Sequence, residues 1–148
     1  MKLNLPPFAH KVQKTDGKTT IFDVIRKKYV ALTPEEWVRQ HLVHYFINHL
    51  GYPRSLISVE SGLLYNQLAK RTDVVVYSRE GSPLLLVECK SFKVSLSDRV
   101  FEQSAIYNSS LKASYLLISN GLVHYCCQLN YKDASYKFLD AVPAYSDM

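Results

Sequence analysis

The sequence predicts an α/β domain in which a mixed β-sheet is covered by helices and preceded by short strands. Three observations carry that prediction. Two apolar, strand-like runs, 74–77 and 84–87, flank the turn-rich Ser78-Arg79-Glu80-Gly81-Ser82. Segments of helical periodicity starting at Thr33 and Ser97 lie on either side of those runs. A wholly apolar run, 115–119, then leads through Asn120-Gly121 into a further strand. The resulting order is helix, three strands, helix, two strands, with alternation of the kind that builds a layered α/β domain.

The elements follow in order. Residues 9–13 and 19–23 read as strands around Asp16-Gly17, a strong hairpin turn. Residues 25–30 are basic and suit a third strand. Residues 1–32 are therefore expected to form an N-terminal β extension packed on the core. Thr33 is a fitting N-cap, Pro34 suits the first helical position, and Glu36 stands three residues after the cap, as in a capping box. Val38, Leu42, Tyr45, Phe46 and Leu50 recur at helical spacing, and Gly51 with Pro53 closes the helix. Residues 56–65 read as a strand with Gly62 as a bulge, followed by the central hairpin. Ser97-Asp98 opens the second helix, with Val100, Phe101, Ser104, Ile106, Tyr107 and Leu111 as a partly apolar stripe. Residues 122–129 read as the partner of 115–119, and 136–139 as an edge strand. The main domain spans 33–142, and 143–148 reads as a tail.

Composition narrows the class. A chain of 148 residues suits one core. With 47% hydrophobic and 21% charged residues it is neither a disordered nor a membrane composition. A net charge of +5 suits a phosphate-rich partner without demanding one. No apolar run approaches the roughly 18 residues of a membrane helix, and the first seven residues lack the apolar centre of a signal peptide. The three cysteines, Cys89, Cys126 and Cys127, are odd in number and lack CxxC spacing. Reduced thiols in a cytoplasmic protein are the expectation.

The chemistry concentrates in the central hairpin. If it is symmetric about Glu80-Gly81, residues whose numbers sum to 161 face each other, which pairs Asp73 with Glu88. Lys90 shares the face of Glu88. Opposed carboxylates would have Cβ atoms about 4.5–5.5 Å apart and would destabilise the sheet, so something must neutralise them. A divalent ion with oxygen ligands is the simplest candidate. An ion-pair ladder at the sheet rim, with Lys90 neutralising Glu88, is the bland alternative. Gln103 and Tyr107 share a helix face, and Glu35 reads as lying on the inward side of the first helix. Each taken singly has a structural explanation, Glu35 and Glu36 as complements of the helix dipole. His41, His44 and His49 on the first helix are better explained by packing than as ligands. Arg26-Lys27-Lys28 and Lys70-Arg71 read as solvated charge or as a basic rim.

Taken in order, Glu35, Asp73, Glu88-Cys89-Lys90 and Gln103…Tyr107 resemble the PD-(D/E)xK, or restriction-endonuclease-like, nuclease superfamily. More narrowly, the chain resembles the N-terminal nuclease domain of type I restriction enzyme motor subunits. The likeness rests on Thr33-Pro34-Glu35-Glu36-Trp37-Val38-Arg39-Gln40, Leu50-Gly51-Tyr52-Pro53, Arg71-Thr72-Asp73-Val74-Val75-Val76-Tyr77, Leu86-Val87-Glu88-Cys89-Lys90, Phe101-Glu102-Gln103-Ser104-Ala105-Ile106-Tyr107-Asn108 and Ser119-Asn120-Gly121, and covers about residues 33 to 130. Thr72 stands where the superfamily name has Pro, and no GxxxxGK[ST] loop is present, so the chain carries no ATPase motif of its own.

The resemblance implies a restriction-endonuclease-like mixed sheet with an αβββαβ core. It implies a Mg²⁺- or Mn²⁺-dependent deoxyribonuclease acting on DNA. Asp73, Glu88 and the backbone carbonyl of Cys89 would hold the ion, and Glu35, with Glu36 as its rival, would complete the metal environment. Lys90 would orient or activate water, a base role that a pKa lowered by burial beside the metal would help, and Gln103 and Tyr107 would position the backbone or the lysine. Other restriction-system subunits are implied as partners; the oligomeric state is left open, with a homodimer as one option because duplex cutting would often need two such sites. A non-catalytic DNA- or partner-binding module on the same fold is the alternative function.

Overall fold

The computed structural model describes residues 2–59 and 73–148, and within the second helix only the backbone of residues 105–110. A three-stranded antiparallel sheet comes first: β1 (Val12–Thr15), β2 (Lys18–Asp23) and β3 (Lys28–Ala31). Asp16 and Gly17, both at positive φ, make the β1–β2 turn; their φ values of 52° and 77° are what a two-residue hairpin of this hand requires. The third strand starts later than the sequence suggests. Asp23 accepts hydrogen bonds from the backbone N–H groups of Ile25 and Arg26, and the resulting turn occupies residues 24–27.

The helix α1 (Pro34–Asn48) begins as its cap predicts, with Thr33 Oγ1 accepting from the Glu36 N–H at 3.0 Å. The reciprocal half of the capping box is replaced: the Glu36 carboxylate turns to Arg26, Arg39 and Gln40 instead. After Gly51, at φ 71°, the chain makes a short 3₁₀ turn, Arg54–Leu56, before β4 (Ile57–Val59). The expected strand 56–65 is thus described only to residue 59, and Gly62, Lys70 and Arg71 lie outside the described residues.

The large sheet has six strands in the order β4, β5 (Val74–Tyr77), β6 (Pro83–Cys89), β7 (Tyr115–Ser119), β8 (His124–Asn130) and β9 (Ser135–Leu139). All neighbours are antiparallel except β6 and β7, which are parallel and joined through α2 (Asp98–Leu111). The hairpin register is the expected one: Val74 faces Val87, Val75 faces Leu86, and Val76 faces Leu85. It slips by one residue at Tyr77, which faces Pro83, a residue that has no N–H to give the ladder.

Alternation sends one set of side chains to each face of the sheet. Val74, Val76, Leu85, Val87, Leu117 and Cys126 pack against Val38, Leu42, Val43 and Phe46 of α1. Val75, Leu86, Leu116, Ile118 and Cys127 pack with Val100, Phe101 and Leu111 of α2. Cys126 and Cys127 accordingly sit on opposite faces, and all three cysteines are buried and unbridged. Burying a side chain such as Phe46 or Leu42 contributes about 1.5–3 kcal/mol.

Two expectations are corrected. Asn120-Gly121 is not a two-residue turn: residues 120–123 form a wider loop, in which Asn120 Oδ1 accepts from the N–H groups of Leu122 and Val123, so β8 starts at His124. Residues 143–148 are docked rather than trailing. Tyr52 donates its hydroxyl to the Pro143 carbonyl at 2.8 Å, and Tyr145 donates its own to the Tyr77 carbonyl at 3.1 Å. Among the described residues no helix is long and apolar enough to cross a membrane.

Candidate active site

The hairpin carries the site to the end of the sheet. Continued one pair beyond Val74–Val87, the register sets Asp73 against Glu88. Asp73 is nearly buried, at 9% exposure, and both of its carboxylate oxygens are engaged. Oδ2 accepts from the Cys89 N–H at 2.7 Å, which ties the acid to the neighbouring strand. Oδ1 accepts from Arg39 Nη2 at 2.8 Å, which ties it to α1. Burial pushes its pKa up to about 6, with Arg39 pulling the other way.

Glu88 is also held at both oxygens. Oε1 pairs with Lys90 Nζ at 3.0 Å, and Oε2 accepts the hydroxyl of Ser104 on α2. Ser104 is itself fully buried and also reaches the Val100 carbonyl. The Lys90 main chain donates to the Ser119 carbonyl at 2.8 Å, fixing the end of β6 against β7. In the chain by itself the pKa of Lys90 is raised. Burial lowers it, but Glu88, then Asp73 and Glu35, favour the ammonium more strongly. Lys90 accordingly stands as the charged partner of Glu88.

The structure separates Glu35 from Glu36. The Glu35 side chain is 46% exposed and bonded to Arg39 Nη2 at 2.9 Å. Its expected place on the inward side belongs to Glu36, which is buried and accepts from Arg26 Nη2 and Arg39 Nη1, both at 2.8 Å, and from Gln40 Nε2 at 3.1 Å. Arg26 also grips Asp23 at 2.5 Å, so it joins the N-terminal sheet to α1 and is no part of a solvated rim. Gln103 is exposed, and the Tyr107 side chain lies outside those described. His41 and His44 pack their rings on Phe8, and His41 also on Trp37, as expected of packing residues.

Two site residues escaped sequence reasoning. Arg39 is three and four residues from the two glutamates of α1, a spacing that places it over both. Ser104 was legible only as part of an apolar stripe. Together Arg39 and Lys90 supply the neutralisation that the opposed acids demand.

The donor chemistry suits a hard divalent cation: Glu35, Asp73 and Glu88 offer carboxylate oxygens and no soft ligand. Among the described residues, however, no three His, Cys, Asp or Glu side chains are gathered tightly enough to hold an ion as they stand. The fit is one of ligand type, with Arg39 interposed at Asp73.

A family model described as type I restriction enzyme R protein N terminus matches residues 34–143. The chain belongs to that family. No curated protein matches the sequence. Among solved structures, this R-protein domain is similar to a fragment assigned to an HsdR subunit of a type I restriction enzyme from Vibrio vulnificus YJ016, with 18% identity and a TM-score of 0.49. The match covers 69% of this chain and 22% of that one, so the present chain spans about a fifth of that structure's length. The family's matched region begins at the first residue of α1 and takes in every residue of the site, from Glu35 to Ser104.

Proposed function

We propose that this R-protein N-terminal domain is a divalent-metal-dependent deoxyribonuclease that hydrolyses phosphodiester bonds within a restriction system. What supports the reading most is one arrangement. Asp73 and Glu88 meet across a strand pair at the end of the sheet, with the Lys90 ammonium on Glu88 at 3.0 Å. A buried acid beside a second acid and a retained cation is expensive for a fold, and such groups mark functional sites more often than structural ones.

Asp73, Glu88, the Cys89 carbonyl and Glu35 would hold Mg²⁺ or Mn²⁺. The ion, when bound, polarises the scissile phosphate and acidifies a water. The chain's own residues do the rest. Cys89 N–H fixes the Asp73 carboxylate in one orientation. Ser104 does the same for Glu88 from α2. Lys90, one-third exposed, presents its ammonium where negative charge develops on the phosphoryl oxygens, and steadies it. Glu35 stands at the solvent edge of the set. The net charge of +5 favours approach of a polyanion. DNA is the substrate on this reading, and other restriction-system subunits are partners.

The test is conversion of supercoiled circular DNA with Mg²⁺, comparing wild type with Asp73→Asn and Lys90→Met. Nicking or linearisation by wild type, lost in both variants, is the expected result. Equal behaviour of all three proteins overturns the assignment.

A further inference from the structure

The chain supplies its own cation to the acids that the proposed function needs. Arg39 Nη2 bridges Asp73 Oδ1 at 2.8 Å and Glu35 Oε1 at 2.9 Å. Its other terminal nitrogen, Nη1, holds Glu36 Oε1 at 2.8 Å. The guanidinium is 12% exposed, and its Nε is buried with no hydrogen-bond partner among the described residues. A buried donor without a partner is a standing cost to this arrangement.

The remaining oxygens leave little choice. Asp73 Oδ2 accepts the Cys89 N–H at 2.7 Å, a side-chain bond that ties the acid to the end of β6. The oxygen open to exchange is therefore Oδ1, the one on Arg39. A dication and a guanidinium on that oxygen would repel each other, because positive charges a few ångströms apart interact strongly in a site shielded from water. Glu36 gives Arg39 somewhere to go: it is buried, anchored by Gln40, and already bonded to Nη1.

We infer that Arg39 competes with the catalytic dication for Asp73, so that metal loading requires the guanidinium to release Asp73 Oδ1 and fall back on Glu36. Arg39 is then a positioning residue that sets how tightly the site takes its ion. The inference rests on the reading of Asp73 as a metal ligand.

The experiment is calorimetric titration of the full chain with Mn²⁺ alone, for wild type, Arg39→Met, Arg39→Lys and Asp73→Asn, with circular dichroism to check folding. Arg39→Met is expected to bind Mn²⁺ roughly tenfold more tightly than wild type, Arg39→Lys to fall between, and Asp73→Asn to bind more weakly. A crystal structure of the wild type with Mn²⁺ provides a second reading that needs no variant. In it Arg39 Nη2 is expected beyond hydrogen-bond distance of Asp73 Oδ1, with Nη1 still on Glu36. Mn²⁺ binding no tighter in folded Arg39→Met, or Mn²⁺ seated on Asp73 with Arg39 still bonded there, overturns the inference and leaves the nuclease reading intact. Equal Mn²⁺ affinity in wild type and Asp73→Asn overturns both, because Asp73 is then no ligand.

Discussion

Glu36→Gln isolates the buried acid of α1 from its exposed neighbour Glu35. The substitution preserves shape and removes the charge that two partly buried arginines share. Losing one partner of a buried ion pair costs about 3–5 kcal/mol. Here the Glu36 side chain is 7% exposed, and Arg39 and Arg26 are 12% and 21% exposed. Both cations keep other anions: Arg26 retains Asp23 at 2.5 Å, and Arg39 retains Glu35 and Asp73. The lower end of the range therefore applies, about 3 kcal/mol. In a chain of 148 residues each kcal/mol moves Tm by about 2–4 °C, so Glu36→Gln should melt about 6–12 °C below wild type. Glu35→Gln is the control. Its carboxylate is 46% exposed with one ion-pair partner, and its loss should cost no more than about 1 kcal/mol. Urea denaturation and calorimetry measure both. A Glu36→Gln protein within about 1 kcal/mol of wild type, or an equally destabilised Glu35→Gln, would refute the division of labour between the two acids.

Two further outcomes follow from the site and its support. Ser104→Ala removes the hydroxyl that orients Glu88; it should lower Mn²⁺ affinity by about tenfold, in line with other outer partners of metal ligands, and unchanged affinity in a titration would place Ser104 outside the site's support. Asp23 has a lowered pKa: burial raises it, but bonds from the Arg26 side chain and from the backbone N–H groups of Arg26 and Ile25 more than offset this. Its contribution to stability is thus complete above the ordinary aspartate value of 3.8 and disappears as pH falls through the lower folded value. The stability difference between wild type and Asp23→Asn, followed by urea denaturation, should be flat from about pH 7 to 5 and shrink below about pH 4; a difference that grows on acidification would contradict the sign.

Much of this was legible in the residues because the signals were local and mutually consistent. The Thr33 cap, the Asp16-Gly17 turn, and the pairing of Asp73 with Glu88 each depend on chemistry within a few residues or on strand periodicity. What escaped was decided by distance in space. Asn120-Gly121 carries the composition of a tight turn, but Asn120 spends its side chain on two backbone N–H groups, and a Cβ on Gly121 would come within 2.9 Å of Leu3, so an N-terminal residue packs into that loop. The phase of the first helix turn was ambiguous by one residue, and only the arrival of Arg26 from the N-terminal sheet shows why Glu36 is the buried member. The pKa of Lys90 was hidden for a similar reason: burial lowers it, but Glu88, Asp73 and Glu35, brought together by the fold, together outweigh burial and raise it.

The carboxylates of this site also pose a folding problem, whatever chemistry they serve. Asp73 must fold before any ion is held, and an unpaired buried carboxylate would cost several kcal/mol. Arg39 and Lys90 solve that problem from within the chain, one from the helix and one from the strand. The two solutions differ in consequence. Lys90 pairs with Glu88 from the partly exposed side and can turn toward a phosphate without leaving the site. Arg39 is wedged among three acids, and whatever displaces it must replace its charge at Asp73. On the proposed reading a dication would do so and a monovalent ion would do so poorly, because Asp73 and Glu35 together would lose a cation held through charge-assisted bonds at 2.8 Å and 2.9 Å. The arginine that neutralises Asp73 in the fold would then also select for the charge of the ion that replaces it.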